Sequence, residues 1–459
     1  MNRTTDSPPS IKSAADGMPT KAVAAATVGT ALEWFDFALY GVVSATIFPK
    51  LFFPSLDPTS GLLASLATFG VGLAARPLGA VICGYLGDKF GRRSLLLFTV
   101  SLMGMASVLM GLLPTYGQVG VWAPIGLVIL RIVQGFALGG ESTGAQLMAV
   151  EHAATNRRGK YSGLLGICSP ISQILANGCM LLLSAQLSPQ DFESYGWRIP
   201  FLLSFILVVI GIYIRLRVSE TPAFEQLRRS NVVPVSSPLR DVVKLHYRDI
   251  LRLMLFFCGP TAMFYLVVVF SLGYLTNTLG VPKQTAFALL MSANVCAIVG
   301  ALAGGVLSDK IGRRKALILG SCATLIMLFF FFPILGTKSF IPMLAATGFL
   351  LGFTQYQSGI QPVYFAEAFP TNVRYSGSAL SYTAANLLAG ATLPALAVWL
   401  LREFDGSPWS IVAVVAFWNI VSLAMVLLGP ETRGNDLNRV DSELLTEQVV
   451  PAPALSRAA

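Results

Sequence analysis

The sequence predicts an all-α membrane protein in which twelve transmembrane helices form two pseudo-symmetric six-helix bundles. Three observations predict it: a body too apolar to be wetted by water, twelve apolar stretches of spanning length, and a pair of motifs that recurs in the second half of the chain.

The 459 residues are 54% hydrophobic and only 12% charged, with a mean hydropathy of +0.67. Soluble domains carry roughly 25% charged residues, so this chain lacks the charged skin that water demands and must face lipid. A helix needs roughly 20 apolar residues to cross the hydrocarbon core. Twelve stretches meet that need, at 22–46, 62–87, 95–114, 124–150, 162–185, 199–217, 251–276, 285–307, 316–335, 339–365, 377–401 and 409–429; they are helices 1 to 12 below. The division that follows is a polar tail at 1–21, a first bundle at 22–217, a linker at 218–250, a second bundle at 251–429 and a second polar tail at 430–459. Both tails read as cytoplasmic, and 1–21 and 435–459 also as disordered: the first is Pro/Ser-rich and lacks a signal-peptide pattern, and the second has no sustained heptads.

Orientation follows from the basic residues. Of 32 Lys and Arg, only Lys50, Arg198, Lys283, Lys338 and Arg402 fall on one set of loops, and Arg76 and Arg131 lie inside spans. All the others crowd the opposite set, which the positive-inside rule places in the cytoplasm together with both termini, in the inner or plasma membrane. The net charge of +9 is thus a matter of topology, and no nucleic-acid partner is implied. The six cysteines are scattered within spans and read as small packing residues, with no metal site.

The repeat is specific. Gly84, Asp88, Lys89, Gly91, Arg92 and Arg93 after helix 2 return as Gly305, Asp309, Lys310, Gly312, Arg313 and Arg314 after helix 8, an offset of 221. Glu151 and Arg158 after helix 4 return as Glu367 and Arg374 after helix 10, an offset of 216. Glycine permits a tight turn, the Asp suits a helix N-terminus, and the paired Arg offer forked partners to an acid. The expected partners are the acids ending helices 4 and 10, which makes ten of the charged residues of the two motifs candidates for gating: Asp88, Arg92, Arg93, Glu151, Arg158, Asp309, Arg313, Arg314, Glu367 and Arg374.

These loops resemble the signature of the major facilitator superfamily over about residues 20–430. Within it the chain is most similar to metabolite:proton symporters, a branch with carriers for 2-oxoglutarate, citrate, shikimate and proline or betaine. The residues behind that likeness are Glu33, Trp34, Asp36, Tyr40 and Gly41 in helix 1, Arg76 and Pro77 in helix 2, and Arg131, Gln134, Gly135, Gly139, Gly140 and Glu141 in helix 4. Trp197, Arg198 and Pro200 entering helix 6, and Glu220, Thr221 and Pro222 leaving it, agree. The resemblance implies alternating access around a midplane site between the halves, with the Asp88 and Asp309 loops latching the outward-facing state. Drug antiporters of the superfamily carry a Gly-Pro-Gly-Gly run in helix 5. Here that place holds Ser169, Pro170 and Gln173, which favours uptake.

Five ionisable residues remain inside spans: Glu33, Asp36, Arg76, Arg131 and Glu141. Each costs about 2.5–3.5 kcal/mol at the centre of an inserted helix, so they are expected to pair. At 1.5 Å per residue Asp36 lies about 21 Å, and Arg131 about 19–20 Å, from the inner face, level with each other, with Glu33 one turn below. Arg76 and Glu141 fall lower, at about 9 and 5 Å. The expected proton-coupling centre is therefore Asp36 and Glu33 beside Arg131. Burial favours the protonated acid and a nearby guanidinium favours the carboxylate, so moving Arg131 converts rocking into protonation. The competing reading is a permanent ion pair that only orients helices 1 and 4. His152 and His246 both lie in loops, which leaves carboxylates as proton carriers.

Arg76 and Arg131 favour an anionic or zwitterionic small-molecule solute. Tyr40, Gln134, Glu141, Tyr356, Gln357, Gln361, Tyr382 and Asn386 are the polar span residues expected to line the cavity with them. Tyr356, Gln357 and Gln361 stand out, since three polar groups within two turns are costly unless they meet water or ligand. Gln173, Tyr265 and Tyr364 are further polar span residues of the same kind, and Gly259, Pro260, Pro370 and Pro394 are candidate hinges.

The sequence thus points to a secondary transporter performing proton-coupled symport of a small organic acid or related metabolite, with the proton as coupling ion, no cofactor and a monomeric transport unit. Alternatives are a proton-independent uniporter or exchanger and, in another class, a membrane sensor that has lost transport. No nucleophile elbow, phosphate loop or metal-ligand cluster supports an enzyme.

Overall fold

The computed structural model describes residues 20–90, 92–139, 142–151, 153–217, 239–370 and 373–437. Glu141 and His152, and the side chains of Glu33, Asp88, Arg92 and Arg93, lie outside the described residues, as do the expected roles of these groups.

Nearly every described residue is helical. Helices 1 to 6 run Thr20–Thr46, Pro58–Phe90, Arg92–Leu112, Trp122–Gly139 continued by Ser142–Glu151, Arg158–Gly166 continued by Cys168–Gln186, and Arg198–Arg217. Helices 7 to 12 run Leu239–Tyr265 with π-helical turns at Leu266–Phe270 and Tyr274–Thr278, Lys283–Ile311, Arg313–Gly336, Phe340–Ala368, Arg374–Ala385 continued by Asn386–Ala391 and Leu393–Glu403, and Trp409–Leu428. Among the described residues, eight helices are long and apolar enough to cross a membrane; Arg198–Ile210 reaches that measure only if the segment Pro189–Gly196, bent from it by 41°, is counted with it. Helix 10, at 29 residues, has the length but not the apolarity, because Gln355, Gln357 and Gln361 all lie within it.

Local chemistry sets the helix ends. Asp57 accepts from the backbone N–H groups of Thr59 and Ser60 at 3.2 and 3.1 Å and so caps helix 2. The turn from helix 8 to helix 9 requires φ = +97° at Gly312, the left-handed region that glycine alone enters freely. That is why the repeated motif carries Gly there.

Packing divides the helices into three sets. Helices 3, 6, 9 and 12 turn large apolar side chains outward, among them Met105, Phe205, Ile326, Phe330, Phe417 and Ile420. Such faces suit a lipid surround. Helices 5 and 8, and helices 2 and 11, join the two halves along their sides. Helices 1, 4, 7 and 10, with parts of 5 and 11, surround the centre. At the 5–8 crossing the backbones nearly touch: a Cβ on Gly159 or on Gly305 would collide with the carbonyl of the other.

Two segments differ from the sequence expectation. A helical segment begins at Leu239, inside the expected linker, and joins helix 7 across a kink at His246 (φ −114°, ψ 17°); its sequence is too polar to register as a span. Residues 430–437, the start of the expected cytoplasmic tail, fold back on the bundle, including 435–437 of the stretch expected to be disordered. Glu431 accepts from the backbone N–H groups of Arg313 and Arg314, and Leu437 is buried.

Candidate functional site

Three sets of side chains occupy the interface between the halves and the core of the first half. The first is a chain of buried polar groups. Asp36 is 2% exposed; its carboxylate accepts from Ser107 of helix 3 at 2.7 Å and from Ser204 of helix 6. Ser107 accepts in turn from Gln134 of helix 4 at 2.9 Å, and the amide oxygen of Gln134 accepts from Arg131. Arg131 is fully buried, with its guanidinium 4.0, 4.9 and 5.1 Å from the ring centroids of Tyr40, Phe37 and Phe69. Its Nε and Nη2 have no partner among the described residues. Cation–π contacts of roughly 0.5–2 kcal/mol each offset part of the burial cost. Arg76 lies on the same Phe37 ring, 4.7 Å from its centroid.

The second set lines a chamber of about 80 Å³ between the halves, room for several waters at about 10–15 Å³ each. Trp34, Ser169, Thr261, Phe264, Tyr265, Gln355, Gln361, Tyr382 and Asn386 are among its walls. The Tyr265 hydroxyl lies 3.5 Å from Asn386. These two residues adjoin π-helical turns, features that recur at functional sites.

The third set closes both ends. At one end Asp309 accepts from the backbone N–H groups of Gly159 and Lys160, each at 2.9 Å, so a carboxylate of the second half caps helix 5 of the first. Arg313 forks onto Glu367 at 3.1 and 3.2 Å and also reaches Asp309 at 2.7 Å. Arg374 crosses to Glu151 at 2.8 Å, and Arg158 crosses to Glu367 at 3.7 Å. At the other end Glu193 holds Lys50 at 3.0 Å and, across the halves, Lys283 at 3.4 Å. Gln284 bonds the carbonyl of Ser184, and Arg402 bonds Ser60.

Comparison with known proteins fits this architecture. The chain matches the family "Sugar (and other) transporter" over residues 21–232 and 244–444. It is 36% identical over 427 residues to the inner membrane metabolite transport protein YhjE of Escherichia coli, covering 91% of this chain and 95% of that one. It is 34% identical to the shikimate transporter of Escherichia coli, with 87% and 92% covered, and 32% identical to the proline/betaine transporter of Salmonella typhimurium, with 84% and 79% covered. The structure of the proton:xylose symporter XylE aligns with a TM-score of 0.73 at 18% identity, covering 92% of this chain and 98% of that one. The chain belongs to the major facilitator superfamily. It is a multi-pass metabolite transporter and not an enzyme.

In this facilitator the sequence-expected residues separate. Gln361, Tyr382 and Asn386 line the chamber. Four others turn away from it. Tyr40 bonds Thr68 at 2.6 Å, Gln134 joins the Asp36 chain, Gln357 accepts from Ser321 of helix 9 at 2.9 Å, and Tyr356 packs beside Phe353 with its hydroxyl unpartnered. Helical pitch separates them, since Gln357 and Gln361 are neighbours on one face while Tyr356 projects about 100° away, and the side chains of Gln357 and Gln361 then diverge. Arg76 and Arg131 stand behind Phe37, Phe69 and Tyr265 and are not among the chamber walls. The depth estimate that parted them is corrected: a long arginine stem brings Arg76 to the same ring as Arg131. Asp36 and Arg131 form no direct ion pair. Ser107 and Ser204 were not foreseen, because a serine in a membrane helix usually bonds its own backbone and carries no sequence signal.

Proposed function

We propose that this transporter is a proton-coupled symporter that takes up a small organic acid or zwitterionic metabolite, with both termini and the Asp309 end in the cytoplasm. The observation that carries the reading is the Asp36 carboxylate, buried inside the first half and joined to the Arg131 guanidinium only through the neutral side chains of Ser107 and Gln134. A buried anion is costly unless its hydrogen bonds are complete, and Asp36 draws its two from helices 3 and 6. Rocking that shifts those helices against helix 1 removes a donor, and the acid then takes a proton to stay buried. Restoring the donors expels it.

The relatives support the solute class, since a shikimate and a proline/betaine transporter are named for an organic acid and for zwitterions. XylE, which has the same fold, is a proton:xylose symporter. In the cycle, the Glu193 bridge closes the outer end and the Asp309, Glu367 and Arg374 contacts close the inner end, so that both closed together describe an occluded intermediate. The test is solute uptake into inverted and right-side-out membrane vesicles with and without an imposed pH gradient. Accumulation that follows the gradient supports symport; uptake that ignores it identifies a uniporter or exchanger and ends the coupling proposal.

A further inference from the structure

The chamber walls are more selective than the phrase organic acid conveys. Gln355 and Gln361 of helix 10, Ser169 of helix 5 and Thr261 of helix 7 all line it, and they are 3%, 3%, 8% and 4% exposed. Among the described residues the hydroxyls of Ser169 and Thr261 have no hydrogen-bond partner, and neither glutamine amide bonds a side chain or carbonyl. The two hydroxyls are enclosed without a protein partner, each at a cost of about 1–3 kcal/mol until it is met, and the two amides open onto the chamber. Trp34, Phe257, Phe264, Tyr265 and Tyr382 supply an aromatic wall. Trp34 and Phe264 meet edge to face at 6.1 Å, and Phe257 and Tyr382 lie tilted at 5.3 Å. Among the described residues that line the chamber none is charged.

We propose that the solute is a hydroxylated ring compound, its hydroxyls bonded to Gln355, Gln361, Ser169 and Thr261 and its apolar ring face laid on the aromatic wall. The proposal rests on the reading that this chamber holds the transported solute. Hydroxyls both donate and accept, as the two amides and two wall hydroxyls require. A trimethylammonium group would satisfy the aromatic faces but leave all four polar groups unmet. A flexible dicarboxylate would meet no cation among the described walls.

The experiment is calorimetric titration of the purified protein in lipid nanodiscs with five probes: quinate, cyclohexanecarboxylate, myo-inositol, glycine betaine and succinate. Quinate and cyclohexanecarboxylate share a ring and a carboxylate and differ in hydroxyls. A site built to bond hydroxyls rejects the analogue without them, so quinate is expected to bind at least about 100-fold more tightly. Gln361→Leu and Ser169→Ala, each checked for intact folding by size exclusion, should each narrow that gap by about tenfold.

Equal or tighter binding of cyclohexanecarboxylate, glycine betaine or succinate overturns the proposal. So does the failure of both hydroxylated rings to bind. Binding of myo-inositol without quinate keeps the hydroxylated-ring assignment while removing the organic-acid reading of the function. Gradient-driven uptake of cyclohexanecarboxylate with no hydroxyl preference does the reverse.

Discussion

Asp36 and Arg131 are linked without touching: Ser107 donates to the carboxylate and accepts from Gln134, whose amide oxygen in turn accepts from the guanidinium. A direct ion pair would bind helix 1 to helix 4 by a charge contact that is costly to break inside lipid. A neutral bridge can be broken by a small shift of helix 3. The two charges therefore sense each other while remaining free to change partners.

Replacing the acid isolates its role. Asp36→Asn keeps the shape and two polar atoms but cannot cycle a proton. Accumulation against a concentration gradient should be lost, while counterflow exchange of labelled solute should persist within about tenfold of the parent. Undiminished accumulation would remove Asp36 from coupling.

The bridge gives a graded test. Ser107→Ala deletes one donor to Asp36 and leaves Gln134 without an acceptor, a buried loss of about 1–3 kcal/mol. The pH at which uptake is half-maximal should move by about one unit, whereas a merely structural Ser107 would lower expression and melting temperature without moving the profile.

At the Asp309 end two partners of one ion pair should behave differently. Glu151 is 39% exposed at its side chain, whereas Arg374 is 2% exposed and also serves the carbonyls of Ala366, Phe369 and Leu437. Glu151→Ala loses a half-exposed contact worth at most about 1 kcal/mol. It should leave the melting temperature unchanged and increase labelling of cysteines introduced at that mouth. Arg374→Ala strands three buried carbonyls and should lower the melting temperature by several degrees. Equal effects on melting would show that the carbonyl contacts contribute nothing.

The architecture was legible in the sequence because lipid imposes it. Twelve apolar stretches and the 221-residue echo of the Asp88 and Asp309 loops follow from hydropathy and turn chemistry alone. Side-chain direction was harder to read. Tyr356, Gln357 and Gln361 are nearly equivalent in sequence, yet only Gln361 is a chamber wall. Nothing marked Ser107 or Ser204 in advance, since the acid they serve comes from a third helix. The strap at 430–437 escaped notice because it holds the bundle mostly by side chains that meet backbone groups, such as Glu431 on Arg313 and Arg314.

The crossing of helices 5 and 8 allows a steric test. Gly159 and Gly305 approach so closely that any Cβ meets backbone. Gly305→Leu should hold the Asp309 end apart, giving solute binding from that side with transport reduced at least about tenfold. Transport at the parental rate would mean that the crossing opens and closes without this contact.

The opposite end carries a pH dependence whose sign can be worked out. Glu193 lies outside the spans; partial burial works against its charge, but Lys50 and Lys283 outweigh that and hold its carboxyl below the ordinary glutamate range. A group whose pKa is lower when the halves are closed favours closure above its open-state value, near 4.3, and loses that effect as pH falls through the lowered one. Closure of this end should thus be insensitive to pH from 5 to 8 and weaken only in stronger acid. Glu193→Gln should reproduce the acid behaviour at every pH, raising labelling of a cysteine placed at residue 284 by about two- to fivefold, because a half-exposed bridge contributes at most about 1 kcal/mol. Lys283→Met should act in the same direction, since it removes the arm that crosses between the halves, whereas Lys50→Met removes a contact within the first half and should act less. If Lys50→Met opened this end as much as Lys283→Met did, the bridge would be ordering the first half rather than joining the two.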